Sequence, residues 1–427
     1  MVETNKPINK PILNIIWLTV LAAVFRIPYL GEQSLWFDEV YTVFIAGMPA
    51  ADSMMFLITD GVHPPLFYWL ERLIVYFSTS ETSVRMLAAI FGVAAIPALY
   101  IFGMRWIGNK SAIIAAILLA VSPFHIWYSQ EARMYSAIAL LAILCFGFYE
   151  LFLNRDRKLY QLLFVVISSI SYLIHYFTLL IPLVQFFHLV LYIKRYPRKI
   201  RRWTILQMIA AIPLIWWIIV IASREGNNFG IGWIPMPKPI DLLYTLMNFS
   251  VGFNTPIMAW RWVGFAITIG LILVGAWFPW RKTTMKPLTV IWATVPLVFI
   301  YLISLKRPTY VDRFLIISIP AFLLLVSCGI VYVGKRWSVY LTILVVGFFV
   351  WGWYSLNFGI NKIEKENWRE AVSYIADNIQ PNEIIILREL QIAIPLNYYS
   401  NNLPYRALQI NRDVYSLNDT TQDYDGV

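Results

Sequence analysis

The sequence predicts an all-α polytopic membrane protein, with about eleven transmembrane helices plus interfacial helices, followed by a small α/β C-terminal domain. Three observations predict it. The 427 residues are 59% hydrophobic and only 14% charged, against roughly 25% charged in soluble domains. Apolar runs near the roughly 20 residues needed to span a bilayer recur along the chain. Beyond about residue 355 the composition turns polar, with helix and strand patterns of soluble character. The expected division is 1–355 for the membrane part and 356–427 for a soluble extracytoplasmic domain.

The apolar runs cover about 11–30, 82–104, 110–126, 132–153, 159–175, 177–193, 203–222, 260–279, 287–304, 313–333 and 337–354. Lys6 and Lys10 precede the first run and no small-residue cleavage site follows it, so it reads as an uncleaved helix rather than a signal peptide. Cys145 and Cys328 both lie inside apolar runs and imply no disulfide framework. The 18 Trp suit interfacial belts. The net charge of +10 does not call for nucleic acid, because most basic residues fall in short loops between spans.

Segment 64–79, PPLFYWLERLIVYFST, is short and carries Glu71 and Arg72 at its middle. The positive-inside rule decides how to read it. If it lies on the membrane surface, sixteen Lys and Arg in five loops face the cytoplasm, from Arg105 and Lys110 to Lys335 and Arg336. If it spanned, all would switch sides. The favoured topology therefore places the N-terminus inside and the tail outside. It also puts segments 31–81, 122–135, 223–259 and 306–313 on the outer, extracytoplasmic face of the plasma membrane. In the tail, NWREAVSYIADNIQ (367–380) has helical periodicity and IIIL (384–387) reads as a buried strand.

Ionisable groups at a membrane boundary are costly to desolvate and read as functional. Segment 31–62 has five acids (Glu32, Asp38, Glu39, Asp52 and Asp60) and no Lys or Arg. The adjacent pair Asp38–Glu39 suits a general base, a metal-ligand pair or a solvated helix start. His63, before Pro64–Pro65, is held extended; it is a candidate ligand or a helix cap. The turn SPFHIWYSQEARMY brings His125, Gln130, Glu131 and Arg133 together, as a site or as a polar hairpin. KRPTYVDR places Lys306, Arg307 and Arg313 on the face where few cations are expected. They suit an anionic partner, such as a substrate phosphate, or simple snorkelling. The chain has no zinc spacing, no P-loop or dinucleotide motif and no GxSxG.

The ordered set W-F-D-E, H-P-P-L-F-Y-W and S-Q-E-A-R-M-Y, with a tail starting N-W-R-E-A-V, resembles glycosyltransferase family 39. These GT-C-fold membrane enzymes include protein O-mannosyltransferases, and the lipid A aminoarabinose transferase is a relative. The resemblance covers most of the chain. It implies a polyprenyl-phosphate-linked sugar as donor, and inverting transfer outside the cytoplasm to a glycan, lipid or protein hydroxyl. It also implies that Asp38, of the Asp38–Glu39 catalytic pair, is the general base. On the same resemblance His63, Glu131, Arg133, Lys306, Arg307 and Arg313 are candidates for holding the donor, and Asp60, His125 and Gln130 for the acceptor or supporting shell. The chemistry agrees. A glycosyl phosphate carries its own leaving group, so the site needs a carboxylate to take a proton and cations to hold the departing phosphate.

Two other readings stay open. A flippase or transporter of lipid-linked sugars would use the same lipid groove, but would more naturally show broken mid-membrane helices and inverted repeats. A metal-dependent transferase would use Asp38, Glu39 and Glu131 on a divalent ion. No cofactor is expected, with a divalent metal as the alternative, and no metal ligand is assigned.

Overall fold

The computed structural model describes residues 10–155, 157–223, 234–253, 258–277, 284–359, 364–387, 390–400 and 403–407. The stretch 224–233, the basic residues Arg281 and Lys282, and the polar C-terminal end expected from the sequence lie outside the described residues.

The described chain is mainly helical. After α1 (Lys10–Arg26) come three short helices, α2 (Phe37–Gly47), α3 (Ala50–Asp60) and α4 (Leu66–Val75). The bundle continues with α5 (Glu81–Ile107), α6 (Asn109–Val121), α7 (Pro123–Ser129), α8 (Tyr135–Asn154) and α9 (Lys158–Ile174). A 3-10 turn, Tyr176–Leu179, leads into α10 (Leu180–Leu191), then α11 (Lys199–Ala222), α12 (Pro239–Val251), α13 (Met258–Trp277) and α14 (Met285–Ser304). A 3-10 segment, Asp312–Ser318, opens α15 (Ile319–Tyr332), and α16 (Lys335–Asn357) closes the bundle.

Seven of these helices are long and apolar enough to cross a membrane, or eight if the bent pair α6–α7 is one span. The bend is 57° at Ser122–Pro123. Proline has no N–H to continue the α6 ladder, and Ser122 caps α7 by accepting from His125 N–H. The expected run 110–126 is thus one apolar stretch folded as two helices. Helix α4 has ten residues, about 15 Å of rise, half of a hydrocarbon core of about 30 Å.

The most enclosed helices are α8 and α15, whose apolar side chains are buried nearly all round. Gly275 of α13 and Gly329 of α15 let those two backbones touch: a Cβ at either would sit about 2 Å from a carbonyl oxygen of the other helix. By contrast α11 and α16 carry rows of exposed large apolar residues, such as Ile212, Trp216 and Ile219, and Trp337, Tyr340 and Ile343. These are faces suited to lipid.

The tail comprises α17 (Trp368–Asn378), β1 (Ile385–Leu387), a short 3-10 turn, α18 (Ala393–Tyr399) and β2 (Tyr405–Ala407). The two strands pair in parallel, Ile385 opposite Tyr405. The strand expected at 384–387 forms, but only Leu387 is buried, whereas Ile386 is 65% exposed. A two-stranded sheet has one covered face, which corrects the expectation of a buried strand. The tail leans on the start of the chain. Tyr399 accepts from Leu35 N–H at 2.8 Å and donates to Glu81 at 2.6 Å, and Arg369 pairs with Glu81.

Candidate active site

Residues from segment 31–81, the turn after α7, the Asp312 segment and the start of the tail meet at one end of the bundle. At the opposite end Arg105 pairs with Glu150, and Lys110 and Lys199 donate to Ser338 and the Phe152 carbonyl.

Helix α2 carries Asp38 and Glu39 in its first turn, where the helix dipole favours anions. Successive helical residues diverge by about 100°, and the two carboxylates enter different surroundings. Glu39 is wholly buried. It receives Arg85 Nε at 2.7 Å and Nη2 at 2.6 Å, Ala132 N–H at 2.9 Å and Lys365 Nζ at 3.2 Å. Arg85 also donates to the carbonyls of Leu30, Gln33 and Ser34. Burial alone would raise the Glu39 carboxyl, but Arg85 and Lys365 outweigh it and hold it down at about 2. Glu39 therefore knots α2, α5, the turn before α8 and the tail together.

Asp38 faces an opening, its side chain 24% exposed. Its Oδ2 lies 3.5 Å from Arg313 Nη2. Arg313 lies near the faces of Trp36 and Tyr135, at 5.4 and 5.7 Å from the ring centres. Behind Asp38 is Arg133, buried without a carboxylate partner among the described ion pairs. It donates to Thr42 Oγ1 at 3.1 Å, meets the Asp38 carbonyl, Tyr68 and His63 Nε2 at 3.4 Å, and lies beside the Tyr135 hydroxyl.

His63 sits at this cluster's edge against His175, ring centres 5.3 Å apart. Burial and the nearby Arg133 lower its pKa well below the usual value, so it is neutral. Glu131 is buried 3.9 Å from Lys365 Nζ. Burial pushes its carboxyl up to about 7; Lys365 and Arg313 oppose that rise, and Glu39 and Asp38 add to it. Asp60 is also raised by burial, against hydrogen bonds from Tyr41 and Val62 N–H.

The structure thus brings Asp38, Arg313, Arg133 and His63 together, with Glu131 and Asp60 adjoining. Glu39, expected as the second member of the catalytic pair, lies buried in its own ion-pair network with Arg85 and Lys365. His125 and Gln130, expected for the acceptor or supporting shell, are engaged with the end of α1. His125 Nδ1 meets Arg26 at 2.8 Å, and Gln130 donates to the carbonyls of Arg26 and Pro28. Lys306 and Arg307 are exposed just after α14, whereas Arg313 lies beside Asp38.

Sequence reasoning missed Arg85, Lys365 and His175. Arg85 had a signal, being a cation near the start of an apolar run. Lys365 is one of several charges in KIEKENWRE, and nothing local separates it from them.

Residues 62–221 match a family model described as dolichyl-phosphate-mannose-protein mannosyltransferase. No curated protein matches the sequence. Among solved structures, ArnT from Cupriavidus metallidurans superposes in its apo state with a TM-score of 0.66 at 14% identity, covering 93% of this chain and 85% of that one. The same protein bound to undecaprenyl phosphate gives 0.65 at 14% identity, with the same coverage. The archaeal oligosaccharyltransferase AglB from Archaeoglobus fulgidus, with an inhibitory peptide and dolichol phosphate, gives 0.58 at 13% identity, covering 92% of this chain and 64% of that one.

The chain has the GT-C fold. The family model and the fold together support a multi-pass membrane glycosyltransferase, as the D-E, HPPL and QEARMY motifs implied. The model match begins one residue before His63 and takes in Glu131, Arg133 and His175, but stops short of Asp38 on one side and Arg313 on the other.

Proposed function

We propose that this protein transfers a sugar from a polyprenyl-phosphate donor to an acceptor hydroxyl, with inversion, at the Asp38 site on the extracytoplasmic face of the plasma membrane. One observation carries the proposal: the partly exposed carboxylate of Asp38 lies beside Arg313, with buried Arg133 at its backbone carbonyl. Asp38 takes the proton of the attacking hydroxyl. Arg313 and Arg133 hold the phosphate as negative charge develops on it, and His63 adds a neutral contact. Glu39 is assigned an orienting role, fixing the α2 N-terminus so that Asp38 stays partly exposed beside Arg313. The undecaprenyl phosphate and dolichol phosphate carried by the ArnT and AglB structures support a lipid-phosphate donor. The experiment is transfer of radiolabelled sugar from a polyprenyl-phosphate donor by the purified full chain; no transfer with any donor sugar would overturn the proposal.

The scheme needs no metal ion. Transfer should persist in excess chelator, whereas its loss and return with Mg²⁺ or Mn²⁺ would favour the metal-dependent reading. Eleven spans follow if α1, α9, the segment Tyr176–Leu191 and the bent α6–α7 pair cross alongside the seven longer helices. On that topology the tail from about 356 is an extracytoplasmic α/β unit leaning on segment 31–81. A cysteine in place of Asn378, at the end of α17, should react with an impermeant thiol reagent in intact cells, and one at Arg157 should not. The reverse pattern would put the site on the cytoplasmic face.

Glu131 gives a pH prediction. Its folded pKa of about 7 is raised above the unfolded value, about 4.3. The folded state therefore holds the proton more tightly, and stability should fall as pH rises from about 4.3 through about 7. Thermal melts across that range should show the fall in wild type and a flatter profile in Glu131→Gln.

A further inference from the structure

His175 is absent from the motifs above, yet it stands at the same end of the bundle. It follows the last residue of α9 and caps the 3-10 turn Tyr176–Leu179. Its Nδ1 accepts the Phe177 N–H at 3.1 Å, and its carbonyl accepts from Thr178 Oγ1 at 2.7 Å. The ring is therefore fixed in place. A nitrogen that accepts a backbone N–H carries no proton of its own, so the proton of the neutral ring is on Nε2. That Nε2 is buried and has no hydrogen-bond partner.

His63 presents the matching case. Arginine can only donate. The His63 nitrogen facing Arg133, Nε2 at 3.4 Å, therefore accepts, and the proton belongs on Nδ1. Nδ1 is likewise buried and without a partner, and so is Nε of Arg133. Three buried N–H groups without acceptors thus belong to side chains that touch in sequence Arg133–His63–His175. Buried donors are nearly always satisfied, so such a cluster calls for a missing acceptor. Arg133 has the Tyr135 hydroxyl beside it, but among the described residues neither imidazole N–H has a hydrogen-bond acceptor. An oxyanion supplies one, being rich in acceptors and without protons to donate, and it would complement Arg133 and Arg313 in charge.

We infer that His175 is a further donor-binding residue, whose Nε2–H donates to a non-bridging phosphoryl oxygen of the polyprenyl-phosphate donor alongside Arg133 and His63. The inference rests on the function proposed above and extends its phosphate site to the α9 break. Because the imidazole is neutral, it contributes a directed hydrogen bond without adding charge. No bond is made or broken at His175, and its role is to hold the phosphate, together with Arg133 and Arg313, while Asp38 takes the proton of the acceptor hydroxyl.

The test uses the purified full chain in nanodiscs, with undecaprenyl phosphate and undecaprenol as probes. His175→Phe keeps the aromatic contacts to Phe177 and Phe314 but has no donor. It should weaken binding of undecaprenyl phosphate by about tenfold or more, the equivalent of about 1.4 kcal/mol, and leave undecaprenol binding unchanged. His175→Gln, which can place an amide N–H near the Nε2 position, should recover much of the loss. Should the Phe variant lose its cooperative melt, His175→Asn, too short to reach the Nε2 position, takes its place. If wild type binds undecaprenyl phosphate and Arg133→Met weakens it while His175→Phe does not, the His175 inference fails and the phosphate site stands. Equal weakening for both lipids would also overturn the inference, by showing a packing role. If wild type does not bind undecaprenyl phosphate at all, the proposed function fails and the inference with it.

Discussion

Asp38→Asn is expected to lower sugar transfer by about 10²-fold or more and to leave undecaprenyl phosphate affinity within a few-fold of wild type. The amide keeps the size of the carboxylate and its place at the start of α2, so the fold has no reason to change. It removes the carboxylate proposed to accept the proton of the acceptor hydroxyl. It also removes one charged neighbour of Arg313, which meets Asp38 at 3.5 Å. Donor phosphate binding should therefore hold or tighten slightly while kcat falls. A fall confined to KM would instead make Asp38 a donor-binding group. Near wild-type transfer by Asp38→Asn would move the base elsewhere, with Glu131 the leading candidate.

Glu39→Ala is expected to act on the fold instead. The carboxylate is buried beside Arg85 and Lys365, and the Arg85–Glu39 pair is 2% and 0% exposed. Removing one partner of such a pair leaves uncompensated buried charge, a cost of about 3–5 kcal/mol. The expected readout is a large fall in Tm with loss of protein yield, unlike the near-unchanged melt of Asp38→Asn. Because the Glu39 carboxyl is held at about 2, below its unfolded value of about 4.3, its contribution is present above about pH 4.3. It is lost as pH falls toward 2. Wild type should therefore lose stability over that acid range more steeply than Glu39→Gln. A Glu39 variant that melts like wild type but has lost transfer would return Glu39 to the catalytic group.

The part of the site legible in the sequence was the part carried by short motifs at segment boundaries. Asp38 in W-F-D-E, His63 in H-P-P-L and Arg133 in Q-E-A-R-M-Y are brought together as their order suggested. The character of Glu39 was not legible, because its partners are 46 and 326 residues away. The acids of segment 31–62 lack basic neighbours in sequence, yet Glu39 finds two cations through folding. Likewise KRPTYVDR reads as one basic cluster, but the chain leaves α14 before Lys306 and re-enters the bundle at Asp312. That turn leaves Lys306 and Arg307 exposed and brings Arg313 to Asp38. His175 carries no motif. Its significance comes from which ring nitrogen the Phe177 N–H occupies, a matter of local geometry at the end of α9.

The fold was legible as a class because composition and apolar runs depend on the bilayer rather than on tertiary detail. Individual spans were less so. The run 110–126 gave no sign of the 57° bend beyond Pro123. Several runs fold as helices of 16 or 17 residues that fall short of a full crossing by length alone.

The most direct test of the central claim is a structure of the full chain with undecaprenyl phosphate bound. The account predicts phosphate density at the Asp38 end of the bundle, within hydrogen-bonding distance of Arg133 or Arg313, with the lipid chain leaving along the membrane-facing helices. Phosphate bound at the Arg105–Glu150 end, or at the Asp38 end but out of reach of both arginines, would contradict it.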